Sequence, residues 1–172
     1  MRDDSPRTVS RRQFTSTAAM AALSAAIVPS RVVGQDAPSN KLNLAAIGIG
    51  GMGASNLKAC AGENIVALCD VDRDYAAKVI AAYPKAKFYV DYREMLEKET
   101  GIDGVIIATP DHTHAAITMA VLRAGKHVFC QKPLTHTVFE ARAVTEAARK
   151  HKVVTQMGNQ GQSYNSMRLL KE

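Results

Sequence analysis

From residue 41 onward the apolar positions follow two rhythms. Short, nearly continuous apolar runs occupy 42–49, 65–71, 87–90, 104–109, 127–130 and 153–157. They are apolar at odd and even positions alike, the pattern of strands covered on both faces. Between them, apolar residues recur at helical spacing, as in Tyr75, Ala76, Val79, Ile80 and Tyr83, and again in Val138, Ala141, Thr145 and Ala148. Residues 113–124 read as a further helix, with Asp111 as its N-cap. Strands that alternate with helices require right-handed crossovers, so the pattern predicts an α/β chain with a six-stranded, doubly wound parallel sheet. No internal repeat or low-complexity tract interrupts it after residue 40.

The first 34 residues do not share this rhythm. Ser10-Arg11-Arg12-Gln13-Phe14 sets paired arginines and an aromatic before a weakly apolar, alanine-rich stretch over 15–29. This resembles a twin-arginine export signal, which implies export of a folded protein to the periplasm, often with its cofactor in place. The stretch is shorter than the roughly 20 strongly apolar residues of a membrane span, so no stable membrane anchor is expected. Small residues near Gly34 and Ala37 both suit a cleavage point. Residues 35–41 (QDAPSNK) read as a polar linker.

Charge changes the picture only slightly. The 172 residues carry 22 Lys+Arg against 16 Asp+Glu, a formal +6. Half of that excess lies in residues 1–34, where five arginines face two aspartates. In the remainder, Lys58, Arg73, Lys78 and Lys98 are mixed with Glu63, Asp72, Asp74 and Glu97. No basic stripe with interleaved aromatics emerges, which argues against a nucleic-acid partner. With 47% apolar and 22% charged residues, the composition is that of a chain able to bury a core. The three cysteines do not form a framework. Cys69 and Cys130 lie in apolar runs and Cys60 on a helix, so inert buried thiols fit better than catalytic or metal-binding ones.

Chemistry enters at the end of the first run. Gly48-Ile49-Gly50-Gly51-Met52-Gly53 fits G-x-G-x-x-G, closes an apolar strand and opens a helix, and a second strand follows, ending in Cys69-Asp70-Val71. In such a turn Gly48 permits the tight bend, Gly50 lets a pyrophosphate approach the backbone, and Gly53 lets the helix pack on the strand. The backbone N–H groups of Gly51 and Met52 and the positive end of the helix dipole would meet that anion. Asp70, 22 residues after Gly48, stands where a carboxylate accepts hydrogen bonds from the adenosine ribose hydroxyls. This is the dinucleotide site of a Rossmann fold, and the acidic residue favours NAD over NADP, because a 2′-phosphate would meet like charge with Arg73 as the nearby cation.

Three more loops leave carboxyl strand ends, where open α/β sheets bind ligands. They are Thr109-Pro110-Asp111-His112-Thr113-His114, Gln131-Lys132-Pro133-Leu134 and Gln156-Met157-Gly158-Asn159-Gln160-Gly161. In this order, and with the glycine turn, they resemble the N-terminal nucleotide-binding domain of the glucose-fructose oxidoreductase, inositol dehydrogenase and MocA (Gfo/Idh/MocA) family. Thr109, Pro110 and His114 match the family's T-P-N-x-x-H motif with Asp111 in place of Asn. The resemblance implies that they line the nicotinamide side of the cleft. Lys132 and Pro133 match its E-K-P motif with Gln131 in place of Glu. The resemblance makes Lys132 a catalytic residue beside nicotinamide and substrate hydroxyl, with a typically cis bond to Pro133, while the departure at Gln131 removes the carboxylate that a proton relay at that position would use. Asn159 matches, more loosely, a position that approaches the nicotinamide or substrate. His112 and His114, at i, i+2 without a cysteine or carboxylate cluster, do not make a zinc site, and no metal is expected.

The domain plan is a signal over 1–34, a linker over 35–41, an NAD(P)-binding domain over 42–160 and, over 161–172, the start of a connection to a second α/β domain that would supply the substrate pocket. The chain stops within what reads as a helix, so it is expected to be truncated and, alone, inactive. The resemblance implies a small-molecule substrate, a sugar or cyclitol hydroxyl, and is compatible with a homo-oligomer in a full-length form. Three functions stay open at this point: hydride transfer between that hydroxyl and NAD, a lyase or glycosidase reaction by transient oxidation, and dinucleotide binding without turnover.

Overall fold

The computed structural model describes residues 40–164, together with Met167 and Leu169. The export signal expected over 1–34 and most of the linker lie outside the described residues. The described residues form six strands: β1 (Asn43–Ile47), β2 (Asn64–Cys69), β3 (Lys87–Tyr89), β4 (Gly104–Ile107), β5 (His127–Gln131) and β6 (Thr155–Gly158). Five α-helices connect them: α1 (Gly51–Ala59), α2 (Arg73–Ala82), α3 (Tyr92–Lys98), α4 (His114–Arg123) and α5 (Val138–His151). The strand order is β3-β2-β1-β4-β5-β6 and every pairing is parallel. Order reverses between β1 and β4, so the carboxyl ends of these two strands flank the crevice where a doubly wound sheet binds its ligand.

The alternation of side chains along the strands separates two cores. Ala45, Ile47, Val105, Ile107, Val128 and Cys130 face α3, α4 and α5, where they meet Met95, Ile117, Val121 and Val144. Ala46, Leu68 and Ile106 face the opposite way, towards Leu57 of α1 and Ala76 of α2. Among the described residues, α1 and α2 are the helices that cover this second face. Beyond them a groove of about 330 Å³, lined by Leu42, Leu44, Phe129 and Val154, follows the sheet towards β6.

Helix starts follow local capping chemistry. Asp72 accepts the Tyr75 N–H at α2 and Asp91 the Arg93 N–H at α3. At α5 the Thr137 hydroxyl accepts the Glu140 N–H while the Glu140 carboxylate accepts the Thr137 N–H, a reciprocal capping box. The backbone N–H groups of Thr137 and His136 hold the Glu140 carboxyl below its ordinary range. The helix α3 is an addition to the periodicity reading, because it is short and buries only Met95 of its seven residues.

Asp111 is not the N-cap of α4. Pro110, with φ −58, leads into a short 3₁₀ turn over Asp111–Thr113, and the helix begins at His114. The turn is closed by Thr113, whose hydroxyl lies 2.7 Å from both the Pro110 carbonyl oxygen and the Thr109 hydroxyl.

Candidate functional site

The turn between β1 and α1 has the conformation its glycines permit. Gly48 takes φ +78, and a Cβ there would lie 2.7 Å from the backbone of Ala108 and Thr109, so β4 and the turn approach closely only because the side chain is missing. A Cβ on Gly53 would lie 1.9 Å from the Gly48 carbonyl oxygen, which is how tightly α1 seats on β1. Gly50 forms the N-cap of α1 without a side-chain cap, so no side chain of the turn itself competes for the first helical N–H groups. This is the cradle that a pyrophosphate requires.

Asp70, just beyond β2, is tied to this cradle. One carboxylate oxygen accepts the Ile49 N–H at 2.8 Å and the Gly50 N–H at 3.4 Å, and the other accepts the Asp72 N–H at 3.1 Å. A carboxylate has about four lone-pair sites, so the group that organises the turn keeps capacity for a ribose hydroxyl. The turn, Asp70, Thr109, Pro110 and His112 line one cleft of about 710 Å³ at the carboxyl ends of β1, β2 and β4. Tyr75 of α2 and Arg93 of α3 line it too, and neither was marked by the sequence motifs. Arg73 is turned away, its guanidinium 5.1 Å from the centre of the Phe88 ring.

His114 does not face this cleft. It is 1% exposed, with Nδ1 2.6 Å from the Pro133 carbonyl oxygen and Nε2 2.9 Å from the Thr109 carbonyl oxygen. The ring fastens the loop after β4 to the loop after β5. The motif placed His114 beside the nicotinamide; the fold uses it to hold together the loops that carry Thr109 and Lys132.

Lys132 is exposed at the end of β5, and its bond to Pro133 is cis. Gln131 beside it points inward: it is 5% exposed, its amide donates to Asn56 Oδ1 of α1 at 3.2 Å, and it packs on Gly158, where a Cβ would come within 2.9 Å of it. Position 131 is thus a packing position in this chain, without a carboxylate to relay protons. Asn159 is exposed at the end of β6, and the next residue, Gln160, reaches the Met52 sulfur of the glycine turn at 3.9 Å. The four loops therefore gather at one end of the sheet.

A model of the oxidoreductase family with an NAD-binding Rossmann fold matches residues 42–159. The chain belongs to the Gfo/Idh/MocA family. Inositol 2-dehydrogenase of Serratia proteamaculans is 36% identical over 123 residues, covering 68% of this chain and 36% of that protein. Among solved structures, myo-inositol 2-dehydrogenase from Lactobacillus plantarum superimposes with a TM-score of 0.70 at 26% identity, over 76% of this chain and 40% of that one. The WlbA dehydrogenase of Thermus thermophilus, crystallised with NAD and α-ketoglutarate, gives 0.68 at 25% identity over 76% of this chain and 47% of that one. The chain spans about a third of the length of the curated relatives it matches, and the matched part is the Gfo/Idh/MocA nucleotide-binding domain. Among the described residues no cluster of three His, Cys, Asp or Glu could hold a metal, and no helix is long and apolar enough to cross a membrane.

Proposed function

We propose that this chain is the NAD-binding domain of an exported oxidoreductase that acts on a sugar or cyclitol hydroxyl. The observation that carries the reading is the glycine turn organised by Asp70 at the strand-order reversal, with no side-chain cap on the first turn of α1 and a carboxylate at the ribose position. Met52, Thr109 and Pro110 would complete the cofactor wall, and Asn159 would approach from the β6 loop. When bound, NAD supplies a hydride acceptor. Asp70 binds the adenosine ribose, and Lys132 presents a positive charge where negative charge develops on the substrate oxygen, so that it stabilises the transition state more than the ground state.

NAD is preferred over NADP because Asp70 repels a 2′-phosphate and Arg73, engaged on Phe88, does not offset it. The inositol dehydrogenases among the relatives support a cyclitol or sugar as substrate, with the second domain of a full-length form choosing among them. Calorimetric titration of the chain with each cofactor tests the reading: tighter binding of NAD is expected, and tighter NADP binding would reverse it. Export to the periplasm rests on Arg11 and Arg12. Replacing both with lysine is expected to trap the precursor in the cytoplasm, and undiminished periplasmic accumulation removes that assignment.

A further inference from the structure

We infer that the Tyr75 ring occupies the pyrophosphate place of the glycine turn, so that it is a gate which dinucleotide binding must open and a determinant of cofactor affinity. The inference rests on the dinucleotide reading and deepens it.

The argument starts from Gly50. The second glycine of the motif lacks a side chain so that the pyrophosphate can reach the backbone. The space released by that missing side chain is filled. A Cβ on Gly50 would lie 1.9 Å from Cε1, 2.4 Å from Cδ1 and 2.9 Å from Cζ of Tyr75, and a Cβ on Gly51 would lie 3.5 Å from its hydroxyl. The ring therefore runs along both residues that start α1, against the backbone an incoming phosphate has to reach. A ring and a phosphate cannot share this volume.

Little holds the ring there. Tyr75 sits in the first turn of α2, fixed at its backbone by the bond from its N–H to Asp72, and its side chain is open to solvent over much of its surface, the residue being 66% exposed. Rotation about χ1 into another staggered well carries the ring off the turn without moving the helix. The phosphate gains what the ring cannot use, charge-assisted hydrogen bonds from N–H groups and the positive end of the α1 dipole. Binding is thus displacement, and the apparent dissociation constant exceeds the intrinsic one by the reciprocal of the fraction of molecules with the ring swung out. A ligand that lacks the pyrophosphate does not meet the gate.

The test uses the 172-residue chain with NAD, ADP-ribose and adenosine as titrants. Tyr75→Ala, at an exposed helical position that alanine suits, is expected to bind NAD and ADP-ribose about three- to tenfold more tightly, with adenosine affinity unchanged. Tyr75→Phe keeps the ring and is expected to match the wild type. As a second readout, the chain is labelled with 3-fluorotyrosine, and the fluorine resonance lost in Tyr75→Phe is expected to shift when ADP-ribose saturates the wild type. Unchanged or weaker NAD binding by Tyr75→Ala, an equal gain for adenosine, or a fluorine resonance that ignores ADP-ribose each overturns the gate while leaving the cofactor reading in place. Absence of dinucleotide binding by wild type and variant alike removes both.

Discussion

Replacing Asp70 with alanine is expected to weaken the fold before any cofactor is added. A carboxylate that served only the ribose would leave the ligand-free domain indifferent to its loss. Here it accepts three backbone N–H groups, and they are not equivalent. Ile49 is fully buried, so its N–H, now 2.8 Å from Asp70, would be left without an acceptor, at about 1–3 kcal/mol. The N–H groups of Gly50 and Asp72 lie nearer solvent and can turn to water for a few tenths of a kcal/mol. The sum, about 2 kcal/mol, corresponds to a fall in Tm of roughly 6–10 °C for a folded unit of this size. Thermal unfolding followed by circular dichroism, without nucleotide, measures it. Asp70→Asn retains one carbonyl oxygen and is expected to fall between the two. If Asp70→Ala melts with the wild type while losing NAD affinity, the carboxylate does not build the turn and the reasoning fails.

Gly53→Ala places a methyl 1.9 Å from the Gly48 carbonyl oxygen, so the turn must open; a loss of about 1–3 kcal/mol in urea unfolding and at least tenfold weaker NAD binding are expected, and a variant neutral in both would show that α1 can back away freely. In a full-length enzyme, Lys132→Ala is expected to lower kcat far more than cofactor affinity; steady-state kinetics and cofactor titration separate the two, and an unchanged kcat assigns Lys132 to the surface. Burial pushes the thiol of Cys69 up to about 12 and that of Cys130 up to about 11. Because the folded state holds these protons more tightly than an unfolded thiol near 8.5, their contribution to stability is complete below pH 8 and is lost as pH rises towards 11. Urea midpoints that fall between pH 8 and 10.5, and iodoacetamide labelling of Cys60 ahead of Cys69 and Cys130, check this.

The strands were legible because a sheet covered on both faces writes itself as uninterrupted apolar runs; β1, β2, β4 and β5 fall within a residue or two of where those runs place them. Boundaries drifted where apolarity outlasts pairing. Val90 continues the run into β3 yet lies outside the strand and is exposed, and β6 begins two residues after the apolar Val153. The short α3 was hidden because a helix that buries a single methionine carries no stripe, although Asp91 before it and the Glu94–Lys98 pair, four residues apart, were signals of a cap and a helical face. At the site, residue types and spacing gave the glycine turn and the family, since those depend on backbone conformation close in sequence. What each polar group touches depends on residues far along the chain. Asp70 bonding the turn, His114 turning from the cleft to two carbonyls, Gln131 packing inward on Asn56 and Tyr75 lying on Gly50 are all contacts between elements, and no spacing rule within one segment encodes them.

The His114 bridge changes which part of the molecule Lys132 belongs to. By sequence the lysine is a surface residue on a connection between a strand and a helix, the sort of segment whose coordinates wander. Mechanically it is an outgrowth of α4: the neighbouring carbonyl is pinned, 2.6 Å away, to a ring rooted in the first residue of a helix whose inner face is part of the core. A group held to a helix is placed more accurately than one carried by a loop. Insertions further along the same connection, between Pro133 and α5, can therefore vary in length while the ammonium keeps its station, whereas a change at residue 114, remote in sequence, sets it adrift.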